Sequence, residues 1–113
     1  MARVSIARQQ ISNAGLIPAY SPASPDGHQV ENSTGKVLLH IRNSGPEDVT
    51  ITIRTGYTVG GLKLQDRQVV VPAGGCAFMG PFDPTVYNQP GTSQVWWDYS
   101  AVDGVDVAAL LIP

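Results

Sequence analysis

A chain of 113 residues with twelve glycines, nine prolines and one cysteine is sized for one domain, and a lone cysteine closes no internal disulfide, so nothing here demands an oxidising compartment. The net charge of −2, with seven Lys and Arg scattered along the chain, argues against nucleic-acid binding, which draws on a basic stripe. Only 14% of the residues are charged, against about 25% in ordinary domains, a surface suited to burial against other subunits.

The opening MARVSIARQQ lacks the apolar stretch of a secretory signal. No apolar run approaches the roughly 20 residues of a bilayer span. These features predict a soluble protein made in the cytoplasm without a signal peptide and without a membrane partner. VSIARQQI reads as an edge strand or the start of a short helix, and the proline-rich GLIPAYSPASPDG as extended backbone. Residues 1–30 are therefore expected to form an extended arm or edge segment ahead of a β-domain at 31–113. Asn32-Ser33-Thr34 fits the N-glycosylation pattern, which is read as chance in a chain with no secretory route.

In KVLLHIRNSGPEDVTITIRT, Val37, Leu39 and Ile41 alternate with Leu38, His40 and Arg42, and Val49, Ile51 and Ile53 alternate with Thr50, Thr52 and Arg54. With turn chemistry at Asn43-Ser44-Gly45-Pro46, this pattern predicts a hairpin with one core face and one polar face. RQVVVPAGGCAFMGPF follows as a strand from Gln68 to Val71, stopped by Pro72, a turn at Ala73-Gly74-Gly75 and a return strand from Cys76 to Met79. PFDPTVYNQPGTS is a loop, Gln94 to Ala101 a strand, Asp103-Gly104 a turn, and Val105 to Ile112 the last strand. Turn signals recur every 8–12 residues or so and no stripe of period 3.6 is sustained. The expected fold is all-β: an antiparallel β-sandwich, Ig-like or jelly-roll-like, of about seven or eight short strands.

Chemistry is sparse. His28, beside Asp26 and Gly27, is read as a loop residue, and Cys76, opening the apolar CAFM, as a small buried or half-buried side chain. A Cys76–His40 nucleophilic pair has no activating surroundings in the sequence. Asp98, Asp103 and Asp106 could crowd one end of a sheet but lack the density of a calcium loop. Glu31 and Glu47 both fall in turn-like sequence, and GYTVGGLKL has no following helix to receive a phosphate. No catalytic residue, metal or cofactor is predicted.

Aromatic residues carry the remaining signal. Successive strand side chains face opposite ways, so Trp97 joins Val95 and Tyr99 in the core, and Trp96 lies outside with Asp98 and Ser100. Trp96 is then covered by the arm, by a subunit contact, where tryptophan is enriched at hot spots, or by a sugar stacked with Tyr57 or Tyr87. Leu38, His40, Arg42 and Arg54 of the polar strand faces, with Leu16, Ile17 and Tyr20 of the arm and Trp96, make up the candidate interface.

The segments NSTGKVLLHIRNSG, VVVPAGGCAFMGPFDPTVYNQPG and VWWDYSAVDGVDVAALLIP resemble small structural proteins of tailed bacteriophages encoded among the head genes. The resemblance spans nearly the whole chain; its most specific parts are VPAGG followed by GPF, and WDYSAV. It implies a β-sandwich virion component, a decoration or cement protein that binds the outside of the capsid through the major capsid protein, with clustering into a homo-oligomer such as a trimer. The arm would serve by adding a strand to a partner's sheet edge. The bottom-up alternative is a carbohydrate-binding module using exposed aromatics.

Overall fold

The computed structural model describes residues 3–55, 58–59, 61–63 and 65–112. The strands are β1 (Val4–Ser5), β2 (Arg8–Gln10), β3 (Ser21–Pro22), β4 (His28–Glu31), β5 (Val37–Asn43), β6 (Val49–Ile53), β7 (Thr58–Val59), β8 (Leu62–Lys63), β9 (Arg67–Val71), β10 (Cys76–Met79), β11 (Gln94–Tyr99) and β12 (Val105–Leu111). A single helical turn, α1 (Pro84–Tyr87), is capped by Asp83, whose carboxylate accepts from the Thr85 N–H at 2.9 Å. The protein is thus nearly all-β, and among the described residues no helix is long and apolar enough to cross a membrane.

Two five-stranded sheets make up the body. The first has the order β1-β4-β11-β6-β9; the second runs β10-β5-β12-β2, with β3 also pairing β12, and β7 and β8 form a separate small hairpin. Both sheets are mixed, not antiparallel throughout as expected, because β1 runs parallel to β4 and β2 parallel to β12. The strands also number twelve among the described residues, more than the seven or eight expected, since the N-terminal segment and β7–β8 contribute pieces of two or three residues.

Inward alternation holds. Val37, Leu39 and Ile41 from β5, Val49, Ile51 and Ile53 from β6, and Val95 and Trp97 from β11 belong to one core cluster shared by the two sheets. The expected hairpin does not exist: β5 lies in the second sheet and β6 in the first. Residues 44–48 cross between layers, held both by local bonds and by bonds to neighbouring strands and turns. Buried Asn43 donates Nδ2 to Glu47 O (2.7 Å) and Val71 O (3.2 Å), and Ser44 N donates to Gly104 O at 2.9 Å. Gly45 and Gly104 meet so closely that a Cβ on Gly104 would sit 2.7 Å from the Gly45 nitrogen. The β9–β10 and β11–β12 connections also change sheet, so Cys76–Met79 returns against β5 and not against β9.

His28 is not a loop residue. It opens β4, points inward and is 2% exposed. Trp97 Nε1 donates to Tyr99 Oη at 2.8 Å, and that hydroxyl lies 2.8 Å from His28 Nδ1. Burial, with the Arg3 charge nearby, pushes the His28 pKa below its usual value and so favours the neutral ring.

Within residues 3–30 the strand segments pair with the rest of the chain. β1 lies on β4, Ile6 packs against the core, and β2 lies on β12, so this one segment covers an edge of each sheet. Residues 11–20 then lead from Leu111, whose O accepts from Ile11 N, to Tyr20 at His40, and β3 pairs with Asp106 and Val107. β12 is buried on both faces, with outward Ala108 and Leu110 hidden like inward Val107 and Ala109. Ala108 faces outward beside His40, and Ala109 packs in the core.

Candidate functional site

His40 points outward from the middle of β5, with Phe78 of β10 and Ala108 of β12 as its cross-strand neighbours. The His40 and Phe78 rings stack with centroids 4.2 Å apart and planes 18° from parallel. Tyr20, delivered by the N-terminal segment, meets His40 edge-on at 5.6 Å, and its hydroxyl is 2.6 Å from His40 Nδ1. The Arg42 guanidinium lies 3.6 Å over the Tyr20 ring and reaches Asp106 Oδ2 at 3.4 Å. Four side chains from three parts of the chain thus form a continuous stack of rings ending in a cation.

The electrostatics favour a neutral imidazole here. Desolvation, then the Arg42 charge, lowers the His40 pKa, which leaves Nδ1 free to accept from the Tyr20 hydroxyl. Leu38, next outward on β5, is half-buried. Leu16 is half-buried and Ile17 is 95% exposed.

Of the sequence candidates, Tyr20, His40 and Arg42 therefore come together, with Leu38 on the same face. Phe78, 65% exposed, was missed. The signal was available, since alternation with Ala77 and Met79 turns Phe78 outward, but CAFM reads as a plain apolar run. Cys76 shares this face opposite Arg42 and is exposed, not buried as expected, because the same alternation points it away from the core.

Trp96 and Arg54 lie on the other layer, on the outer face of the first sheet. The Arg3 guanidinium covers Trp96, 4.8 Å from the ring centroid. Arg3 Nη1 also donates to Trp97 O at 2.9 Å and pairs with Asp98 Oδ1 at 2.8 Å. Arg54 continues the chain of charges, with Nε 2.7 Å from Asp98 Oδ2 and Nη1 3.0 Å from Asp66 Oδ2. The three aspartates do not crowd one end: Asp98 serves this network, Asp106 faces Arg42 on the other sheet, and Asp103 is in the exposed turn. Tyr87 is half-buried against Phe82, and Tyr57 lies outside the described residues. No aromatic plane forms around Trp96 among the described residues.

The fully buried Asn32 is not presented for modification. Its Nδ2 donates to Phe82 O at 3.0 Å and Asn88 Oδ1 at 2.8 Å. Comparison with protein-family models, curated proteins and solved structures gave no match to the chain.

Proposed function

We propose that this chain is a non-enzymatic structural protein of a tailed-phage virion, a β-sandwich that binds the outer surface of the capsid. The docking face is the outer side of the second sheet. The observation that carries this reading is the Tyr20–His40–Phe78 ring stack closed by Arg42. Aromatic residues and arginine dominate interface hot spots because they bury large area at small entropic cost. Here the rings already hold one another in place, so docking orders little that was mobile. The partner is the major capsid protein, the location is the virion surface, and copies of the chain associate there with one another. A glycan platform built on Trp96 has less support, since Arg3 occupies the face a sugar would stack upon.

Co-sedimentation with undecorated phage shells tests the reading. Phe78→Ala with Arg42→Glu is expected to abolish binding while the melting temperature stays near that of the wild type. Full binding by that double variant overturns the face, and titration with a glycan panel that shifts the tryptophan fluorescence overturns the function.

A further inference from the structure

Among the described residues, the side of the molecule away from the N-terminal segment ends in two strand edges with no paired neighbour. β9 is the last strand of the first sheet and β10 the last of the second. They lie on the same side, joined by residues 72–75 and separated by a recess lined by Val69, Phe78, Met79, Phe82 and Tyr87.

Hydrogen-bond alternation identifies the groups that face out. Ser100 N donates to Thr50 O and Arg54 N to Trp96 O, so even-numbered residues of β6 face β11 and odd-numbered ones face β9. In the β6–β9 register this leaves Gln68 and Val70 with N–H and C=O turned away from β6. On β10, Asn43 N donates to Gly75 O, so Ala77 and Met79 pair with β5, and Cys76 and Phe78 present their main chain outward. Val70 (57%) and Phe78 (65%) are also two of the four exposed large apolar residues among those described, and they are the two that stand on these edges.

Proteins protect such edges with lysines, prolines, bulges or inward charges. The register of both strands is unbroken, β10 has no charged residue, and β9 has only Arg67 at its first position.

We propose that a second copy of this chain docks here edge to edge, about a two-fold axis perpendicular to the sheets. An edge that alternates outward N–H and C=O is complementary to itself in antiparallel pairing. Because both bare edges are on one side, one two-fold operation pairs β9 with β9 and β10 with β10, extends each sheet, and closes the recess. An isologous contact of this kind stops at the dimer. The dimer would also bring the two Phe78 stacks side by side, and in that sense it rests on the docking face proposed above.

The test uses the full chain without shells, so that its failure and a failure of capsid binding are separable. Sedimentation velocity over a concentration series, in reductant because Cys76 is exposed, is expected to show a reversible monomer–dimer equilibrium. Val70→Pro removes an outward N–H without touching the β6 ladder, and Val70→Lys places a charge on the edge. Both are expected to abolish the dimer with an unchanged circular dichroism spectrum, and Val70→Lys decides the matter where the proline variant does not fold. A wild type that stays monomeric, a trimer as the assembly formed, a dimer that vanishes in reductant, or a dimer retained by folded Val70→Lys overturns the proposal.

Discussion

The two sides of this molecule treat the same problem in opposite ways. On one side a segment of seven residues runs from the edge of the first sheet at β1 to the edge of the second at β2, with Ile6 turned into the core between them. Arg3 fastens its start to Trp97 O and Asp98. On the other side β9 and β10 have no further strand paired to them among the described residues. The closed side owes its cover to a distant piece of chain, since β1 lies on β4 and β2 on β12. The closed side is expected to be sensitive to changes in packing, and the open side indifferent to them.

The largest expected effect is at Trp97, beneath the closed side. Trp97→Ala removes a fully buried ring and leaves the Tyr99 and His28 polar atoms beside a cavity. A loss of about 3–5 kcal/mol is expected in denaturant unfolding. Trp96→Ala should cost clearly less, since that ring is half-buried under Arg3. The reverse order would mean that the closed side is held from its surface and not from its core.

Next comes Ala108→Leu. Ala108 faces outward from β12 beside His40, which Tyr20 of the N-terminal segment meets, and it is 1% exposed. Added bulk there forces its neighbours away, at about 1–3 kcal/mol. Thermal melts measure the loss, and chemical shifts of His40 would report separation from Tyr20. A neutral result would show that those neighbours yield readily.

Acid should act on the closed side through His28 and on the outer face of the second sheet through His40. The folded-state pKa values of His28 and His40 are lowered, chiefly by desolvation, so the unfolded chain takes up protons first as pH falls. Their contribution is fully present above the unfolded value of about 6.5 and is lost as pH falls through the lowered folded values. Denaturant midpoints should therefore decline on acidification below about pH 6.5. His28 lies where β1 pairs with β4, so exchange of the Val4 and Ile6 amides, bonded to Gly27 O and Gln29 O, should quicken over the same range. A midpoint that falls without faster exchange there would locate the effect at His40.

The sequence pattern placed Trp97 and the alternating positions of both arms of KVLLHIRNSGPEDVTITIRT in the core as found, but not His28 or Cys76. It did not tell which sheet each strand joins. Inward alternation satisfies a hairpin and a layer crossing equally, and the difference rests on Asn43 reaching Val71 O and Ser44 reaching Gly104 O, contacts between residues far apart in sequence. The candidate site was legible for the same reason and to the same extent. Parity placed His40 and Arg42 outward; Tyr20 joins them through a chain passage that no local pattern encodes. Phe78 and Cys76 were readable by the same parity. His28 was hidden because its flanking Asp26-Gly27 turn masks the start of a strand.

The smallest effect is the most direct test of the open side. Val70 and Val71 are neighbours in β9, one 57% exposed and the other fully buried. Val→Thr preserves shape and β-propensity but adds a hydroxyl. At Val71 that hydroxyl enters the core, and about 1–3 kcal/mol is expected to be lost. At Val70 it meets water in the monomer, so a change within about 0.5 kcal/mol is expected. The measurement belongs at protein concentrations below those at which sedimentation detects association. If Val70→Thr costs as much as Val71→Thr under those conditions, the edge is already covered within the monomer, and the contrast between the two sides fails at its simplest point.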